Sequence, residues 1–348
     1  MIKILIVEDS PVEQQLLTHV FDSQPDMRVV GAVDDGEHAL TAVRLLRPDV
    51  VTMDIHMPRL NGFETTRRIM EDNPLPIVVV SGSIGTTDAE KAFHAIEAGA
   101  LAVVRKPSGP GHPDHAADVR ELVKTVRMMS EVKVVRRWPR SSPLELSPGR
   151  PARSEGVVPA KVRVVAIGAS TGGPTVLRDI LAALPKSFPV PVLVVQHMAK
   201  GFMESFVAWL EMTSGFPARI AAQGEYLLPG RAYFAPDGVH MLATGDGRVI
   251  LSNEEPDGGL RPSVARLFRS VAEVFGRSAI GVLLTGMGRD GAEDLRLMRE
   301  RGAVTVVQDR ESSVVFGMPG EAVNLGAADH VLPPERIAEL LGHLVKAQ

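Results

Sequence analysis

The stretch PDVVTMDIHMP (residues 48–58) shows the pattern on which the fold of the first part of the chain depends. An apolar run, Val50–Met53, leads directly into Asp54, so a buried strand ends in a carboxylate. Short apolar runs and amphipathic stretches alternate on both sides of it. The predicted strands are Ile4–Val7, Val29–Ala32, Val50–Met53, Ile77–Val80 and Leu101–Val104, and the predicted helices are Gln14–Phe21, Gly36–Leu46, Phe63–Glu71 and Asp88–Ala98. This alternation predicts a five-stranded parallel, doubly wound sheet, because parallel strands need crossover connections.

A second α/β series follows a change in composition. Residues 129–160 are rich in proline, serine, glycine and arginine, which predicts a linker. Apolar strands then return at Val162–Ile167, Val192–Val195, Ile280–Leu284 and Val304–Val307. The prediction is therefore an α/β domain over 1–128, a linker over 129–160, and a doubly wound α/β sandwich over 161–348. A length of 348 residues suits two domains better than one.

The composition excludes several classes of function. Hydrophobic residues make up 45% of the chain and the net charge is -4, so no basic field indicates binding to nucleic acid or to an anionic membrane. Cysteine is absent, which excludes disulfides, thiolate metal sites and cysteine nucleophiles. No run of about 18 apolar residues and no signal peptide occur, so we expect no membrane insertion and a cytoplasmic location. A monomer is the default expectation.

Polar residues follow the predicted strands of the first domain. Glu8 and Asp9 follow the first strand, Asp54 the third, Ser81 the fourth and Lys106 the fifth. The carboxyl ends of parallel strands share one crevice. Three carboxylates there repel one another unless a cation lies among them, and Mg²⁺ prefers such oxygen ligands. Any one of these residues is as often a solvated loop residue, but five in the same register favour a site for phosphoryl transfer to a carboxylate.

This pattern resembles the response-regulator receiver family over residues 1–128. The resemblance implies that Asp54 is the phosphoacceptor. It also implies that Mg²⁺ is held by Glu8, Asp9 and Asp54, with the backbone carbonyl of His56 as a further ligand.

The same resemblance assigns a switch to two other residues. It implies Ser81 as the switch hydroxyl, Lys106 as its lysine partner, and a histidine kinase as the phosphodonor. Members of the family usually carry Tyr or Phe three residues before the lysine, where this chain has Val103. The aromatic part of the switch is therefore not expected.

The stretch VVAIGASTGGP (residues 164–174) opens the second domain. An apolar strand runs into Ser170, and a helix is predicted to begin near Gly173 because Pro174 favours a first helical turn. Ser170 then lies on a tight turn beside a positive helix terminus, a suitable position for a nucleophile. The alternative is a phosphate-binding loop, although neither G-x-G-x-x-G nor GK[ST] is present. On this motif alone both interpretations stay open.

Two further strands end in residues of interest. VLVVQHM (192–198) places His197 at the carboxyl edge of the sheet, and LLTGMGRDGAED (283–294) places Asp290 after another strand. We expect the helix that follows the strand at 280–284 to begin near Arg289, with Asp290 in its first turn. Taken singly, His197 is more often a polar loop residue, and Asp290 a carboxylate that complements a helix terminus.

Taken together, Ser170, His197 and Asp290 offer the hydroxyl, imidazole and carboxylate that acyl transfer needs. The backbone amide of Met287, in the glycine-rich turn before the second helix, is a candidate donor to the oxyanion. The chain order Ser, His, Asp and the missing G-x-S-x-G argue against an enzyme of the lipase type.

The motifs IGASTGGP, VVQHM and LLTGMGRDGA, with PGRAYFAPDGVHM between them, resemble the catalytic domain of the chemotaxis protein-glutamate methylesterases over residues 162–346. That family joins this domain to a receiver through a linker. The resemblance implies a phosphorylation-activated serine hydrolase that demethylates glutamate side chains on the cytoplasmic helices of chemoreceptors, in some cases deamidates glutamine, and so gives sensory adaptation in two-component chemotaxis. It assigns catalysis to Ser170, His197 and Asp290, places Thr171 and Met287 near the oxyanion, and implies no cofactor in this half.

The first domain is expected to regulate the second. The unphosphorylated receiver is predicted to cover the Ser170 crevice, and phosphorylation to open it. Exposed Arg178 or Arg261 could attract an acidic receptor surface, although a solvated charge is the plainer interpretation of each.

Two other classes of function stay open. A phosphorylation-switched binding module would lack chemistry, but no helix-turn-helix or basic stripe is present. A nucleotide-dependent enzyme would use the GASTGG loop.

Overall fold

A computed structural model describes residues 1–82, 94–132, 134 and 161–346. Most of the predicted linker lies outside the described residues. The helix predicted over Asp88–Ala98 lies partly outside them, and residues 94–97 are helical.

The first sheet contains five parallel strands in the order β2-β1-β3-β4-β5. Its elements are β1 (Ile2–Val7), α1 (Pro11–Asp22), β2 (Met27–Val33), α2 (Gly36–Leu46), β3 (Val50–Met53), α3 (Gly62–Asp72), β4 (Ile77–Ser81), β5 (Ala102–Arg105) and α4 (His115–Ser130). Successive side chains of β1 alternate between the two faces. Ile4 and Ile6 pack with α1 and α4, whereas Leu5 and Val7 pack with α2 and α3. The predicted five-stranded, doubly wound sheet is confirmed.

Polar caps fix where the helices of this sheet begin. The side chains of Ser10, Asp35 and Asn61 each accept a hydrogen bond from the N–H three residues later, at the starts of α1, α2 and α3. Such caps satisfy N–H groups that the helix leaves unpaired. The starts of these three helices are therefore fixed relative to the strands that precede them.

The second sheet contains seven parallel strands in the order β14-β13-β12-β6-β7-β9-β8, and β10 and β11 form a separate antiparallel pair. The strands are β6 (Val164–Ala169), β7 (Val192–Gln196), β8 (Ala218–Ile220), β9 (Ala232–Phe234), β10 (His240–Ala243), β11 (Val249–Ser252), β12 (Ala279–Leu283), β13 (Val304–Gln308) and β14 (His330–Leu332). The helices are α5 (Gly173–Ala183), α6 (Met203–Ser214), α7 (Val264–Phe275), α8 (Ala292–Glu300), α9 (Met318–Asn324) and α10 (Pro334–Lys346).

Both faces of this sheet are covered. On one face Val165 and Ile167 pack with α5, α6 and α10, and on the other face Val164 and Ala166 pack with α7, α8 and α9. Strands buried on both sides read as continuous apolar runs, which explains how the sequence revealed them. The predicted doubly wound domain is confirmed. Among the described helices, none has both the length and the apolar character that a membrane crossing requires.

Two details differ from the predictions. The edge strands β8 and β14 contain only three residues each, too few to show a periodic pattern, and they were not predicted. The helix expected to begin near Arg289 begins at Ala292, with Gly291 at its cap in a left-handed conformation (φ 80°). Asp290 therefore precedes α8 and is not in its first turn.

Candidate functional site

The predicted acidic cluster is present at the carboxyl edge of the first sheet. Oxygen atoms of Glu8, Asp9 and Asp54 all lie within 4.8 Å of one another. Lys106 Nζ lies 2.8 Å from Glu8 Oε2 and 3.5 Å from Asp54 Oδ1, and it also contacts Glu13. Asp54 is 5% exposed, and its Oδ1 accepts a hydrogen bond from the N–H of Ile55. The structure thus brings the three carboxylates and the ammonium together.

The electrostatics of this cluster fit a divalent cation. Burial raises the pKa of the Glu8 carboxyl to about 7, and the charge of Asp54 adds to this against the opposing contact with Lys106. Burial alone would lower the pKa of Lys106, but hydrogen bonds to Glu13 and Glu8 raise it instead. Closely spaced carboxylate oxygens that repel one another are the hard ligands that Mg²⁺ prefers. Glu8, Asp9 and Asp54 therefore suit that ion.

Other predicted receiver residues lie around the cluster. Ser81 is buried at the end of β4, where its carbonyl accepts a hydrogen bond from the N–H of Lys106 (2.8 Å). His56 is exposed two residues after Asp54, and its carbonyl stays a predicted ligand. Val103 lies on β5 and packs against apolar neighbours. Glu13, in the first turn of α1, was missed, although an acidic residue soon after the Glu8-Asp9 pair was a usable signal.

The turn that carries the predicted nucleophile Ser170, here called the nucleophile turn (residues 170–173), joins β6 to α5. The N–H of Ser170 donates to the carbonyl of Thr285 (3.0 Å), and the carbonyl of Ser170 accepts from the N–H of Gly173 (2.8 Å). Gly172 has a φ of 79°, a left-handed conformation that favours glycine. Helix α5 begins at Gly173, as predicted. Because the Gly173 amide is engaged within the turn, it is not free to bind a phosphate, which argues against a nucleotide loop.

His197 and Asp290 form a close pair at the same edge. His197 Nε2 lies 2.9 Å from Asp290 Oδ2, and the side chains are 13% and 10% exposed. The N–H of His197 donates to the carbonyl of Ala169 (2.9 Å), the residue before Ser170. The backbone of the histidine is thereby fixed beside the nucleophile turn.

Asp290 is held by the N-terminus of α7 and not by the helix that follows it. Its carboxylate accepts hydrogen bonds from Ser263 Oγ (3.0 Å) and from the N–H groups of Val264 (2.7 Å) and Ala265 (3.0 Å). Burial alone would raise the pKa of Asp290, but His197 and these N–H groups hold it below its ordinary value. Asp290 is therefore a stable anion at neutral pH. The alternative interpretation, in which Asp290 complements the helix that follows it, does not fit, because α8 begins only after the Gly291 turn.

Thr171 and Met287 belong to the two segments that meet at Ser170, and their roles near the oxyanion stay predictions. The carbonyl of Thr171 accepts from Thr285 Oγ1 (2.9 Å). At Gly286 a Cβ would lie only 2.7 Å from Ser170 Cβ, so the residue before Met287 approaches the nucleophile directly. The carbonyl of Gly286 accepts from the N–H groups of Gly317 and Met318, which fixes this turn. The direction of the Met287 amide stays a prediction.

Sequence reasoning missed three buried polar residues around the nucleophile turn. Gln196 Nε2 donates to the carbonyls of Ser170 and His197. Gln308 Oε1 accepts from the N–H of Thr285 (2.7 Å), whose hydroxyl reaches Thr171. A polar residue at the end of an apolar strand, as in VVQHM, was the available signal.

The two arginines suggested for an acidic substrate are engaged elsewhere. Arg178 pairs with Asp179 and, across the two domains, with Glu97 of the first domain (3.2 Å). Arg261 Nη1 donates to the backbone carbonyls of Asn253 and Glu254. Neither contact supports a role in binding substrate while the domains are in this arrangement.

Comparisons with known proteins identify the family of each half of the chain. A family model described as "CheB methylesterase" matches residues 165–341, and one described as "Response regulator receiver domain" matches residues 4–117. A protein-glutamate methylesterase/protein-glutamine glutaminase of Geobacter metallireducens is 54% identical over 99% of each chain. The chain belongs to the CheB methylesterase family. A Nitrosospira multiformis relative of the same description is also 54% identical, over 99% of this chain and 97% of its own.

A solved structure supports the same assignment for the second domain. The CheB methylesterase catalytic domain of Thermotoga maritima is 38% identical and matches with a TM-score of 0.52, covering 53% of this chain and 100% of that one. The chain is thus an enzyme of the CheB methylesterase family that carries a receiver domain.

Proposed function

We propose that this chain is a phosphorylation-activated serine hydrolase that removes methyl esters from glutamate side chains on the cytoplasmic helices of chemoreceptors. The observation that carries the proposal is the His197–Asp290 pair (2.9 Å). The backbone N–H of its histidine donates a hydrogen bond to the carbonyl of Ala169, the residue before Ser170. We further propose a receiver over 1–128, a linker over 129–160, a catalytic domain over 161–348, and a monomeric protein.

In the first chemical step, Ser170 attacks the ester carbonyl while His197 takes its hydroxyl proton. Because Asp290 faces Nε2 of the ring, Nδ1 is the nitrogen left to accept that proton. The buried Asp290 anion stabilises the imidazolium that forms. Its own charge is fixed by two backbone N–H groups and one hydroxyl, so it does not need water.

The tetrahedral intermediate requires donors for its oxyanion. We propose the Met287 amide for this role, with Thr171 beside it, because Gly286 brings that turn against Ser170. The imidazolium then protonates the departing methoxide, methanol leaves, and a glutamyl-serine ester remains. Water attacks this ester with His197 as general base, which frees the carboxylate and Ser170. With a glutamine side chain the leaving group is ammonia, and the product is again glutamate. None of these steps calls for a cofactor.

The receiver would control access to this site. A histidine kinase would supply the phosphoryl group to Asp54, and bound Mg²⁺ would neutralise charge on its oxygens. Glu8, Asp9, Asp54 and the His56 carbonyl would hold the ion. Lys106 would pair with the phosphoryl group, and Ser81 would report its presence.

Contacts between the domains support a closed unphosphorylated state. Apolar side chains of both domains belong to one cluster, and Arg178 pairs with Glu97. Val314, which contacts the nucleophile turn at Gly172, also packs against the apolar cluster of the first domain that includes α1 and α4. The receiver therefore lies close to Ser170. A receptor helix bundle would need this contact to open, which would give adaptation its dependence on the kinase.

Methanol release from methylated receptor membranes tests the proposal. Full-length protein with a phosphodonor should release methanol, and Ser170→Ala should not. Activity that survives Ser170→Ala would remove the nucleophile assignment. Failure of the wild type to release methanol from any methylated receptor, with Asp54 phosphorylated, would remove the substrate assignment.

A further inference from the structure

Gln196 occupies a position between the nucleophile and the histidine. It is the last residue of β7, pairs in register with Ala169 of β6, and precedes His197. Its side chain is uncharged and only 2% exposed. A polar side chain at the end of an apolar strand is costly to bury unless it forms hydrogen bonds.

Those hydrogen bonds join the two catalytic segments. Gln196 Nε2 donates to the carbonyl of Ser170 (2.9 Å) and to the carbonyl of His197 (2.7 Å). The Oε1 atom lies against Gly173, where a Cβ would collide with it. One amide thus contacts the nucleophile turn, the start of α5 and the histidine backbone.

We propose that Gln196 is a positioning residue that sets the separation of Ser170 and His197 through their main-chain carbonyls. The proposal rests on the proposed function, because it assumes that these two residues react together. Neither Glu nor Met can reproduce both hydrogen bonds. A glutamic acid kept neutral by burial has only one O–H to donate, and methionine has a similar length but no donor.

The consequence is kinetic. The carbonyl of Ser170 keeps the N–H of Gly173 as a second donor, so the turn itself survives the loss of Gln196. The His197 carbonyl loses the side-chain donor that ties it to the turn. A displacement of about 1 Å between reacting groups can lower a rate about 100-fold. Substrate binding is not involved, because Gln196 is buried beneath the turn.

The test uses Gln196→Met and Gln196→Glu in the full chain, assayed with methylated receptor membranes and a phosphodonor. We expect kcat to fall about 10- to 100-fold with KM changed less than about two-fold. Reaction of Ser170 with a small fluorophosphonate, which does not need the receptor site, should slow by a similar factor. If Gln196→Glu does not fold, Gln196→Met decides.

The matched control is Thr305→Val, which removes another fully buried hydrogen-bonding group near the opposite, amino end of β13. It should lower the melting temperature and leave kcat unchanged. Three outcomes overturn the proposal. Wild-type kcat in both Gln196 variants, while Ser170→Ala is inactive, would remove only the role of Gln196. A loss of kcat that merely follows the folded fraction would make that role structural. Activity in Ser170→Ala would remove the proposed function, and the role of Gln196 with it.

Discussion

Replacing Asp290 by asparagine should separate the catalytic charge from the packing around it. The carboxylate has four partners: His197 Nε2, Ser263 Oγ and the N–H groups of Val264 and Ala265. An asparagine keeps one oxygen and presents an NH₂ group to the other side. Because the surrounding partners on both sides are donors, at least one contact becomes a donor facing a donor.

The size of the effect follows from these contacts. A triad aspartate replaced by asparagine leaves the histidine in the wrong tautomer and lowers kcat up to about 10⁴-fold. We expect a 10²- to 10⁴-fold loss of kcat, or about 2.7–5.4 kcal/mol in the activation barrier. Stability should fall by about 2–4 kcal/mol, since one charge-assisted hydrogen bond and a charge at the start of α7 are lost.

The assay pairs methanol release with unfolding of the second domain. Trp209 is buried in α6, and a Trp138→Phe background makes it the sole tryptophan reporter. Asp294→Asn is the matched control, because Asp294 is also a buried carboxylate but pairs with Arg269 (3.0 Å). The control should lose stability and keep its kcat. A kcat for Asp290→Asn within about three-fold of the wild type would refute the role of the carboxylate.

The wild type and Asp290→Asn should also differ in how their stability depends on pH. The pKa of Asp290 is held below its ordinary value of 3.8 by His197 and the N–H groups of α7, against the effect of burial. A carboxyl with a lowered pKa in the folded state contributes stability above its unfolded pKa, and that contribution is lost as the pH falls through the folded pKa. Between pH 6 and pH 3 the wild type should therefore lose more stability than Asp290→Asn. Equal losses would mean that the folded structure does not favour the anion.

Two further predictions concern the receiver. Removing the Arg178–Glu97 ion pair with Arg178→Ala should raise the rate of methanol release by the unphosphorylated protein about 1.5- to 5-fold, since exposed pairs contribute about 0.2–1 kcal/mol. Arg336→Ala, which breaks an ion pair within α10, is the control. An unchanged rate in Arg178→Ala would show that the pair does not hold the domains closed. Asp9→Asn should increase the Mg²⁺ concentration that gives half-maximal phosphorylation of Asp54 by a small acyl phosphate about 10- to 100-fold, because one of three charged oxygen ligands is lost. Asp34→Asn is the control. An unshifted Mg²⁺ dependence in Asp9→Asn would exclude Asp9 as a ligand.

The sequence was sufficient where the information is local. Apolar runs marked the long strands, and residues directly after them were predicted to meet at one edge. Glu8, Asp54 and Lys106 do so in the first sheet, as do His197 and Asp290 in the second. The helix start at Gly173 was predicted because proline and glycine have fixed preferences at helix termini.

Long-range contacts could not be predicted in the same way. Besides His197, the partners of Asp290 are Ser263, Val264 and Ala265, more than twenty residues earlier, and nothing in LLTGMGRDGAED points to them. The role of Gln196 depends on the register between β6 and β7, which brings its amide beneath Ser170. Such contacts arise only when strands pair in a particular order. The periodic pattern of apolar residues predicts where strands occur but does not predict their order in the sheet.

The contacts at the two edges suggest what phosphorylation has to change. His197 and Asp290 are already 2.9 Å apart while Val314 packs on the first domain and Arg178 pairs with Glu97. The pair is held by main-chain donors of α7, which belong to the second domain alone. Phosphorylation at Asp54, as proposed, would therefore have no need to assemble the histidine and its carboxylate. We infer that it acts on the equilibrium between covered and open arrangements, where a change of about 1.4 kcal/mol alters the open fraction ten-fold. The Arg178–Glu97 ion pair is suited to such a change, because an exposed pair contributes only about 0.2–1 kcal/mol.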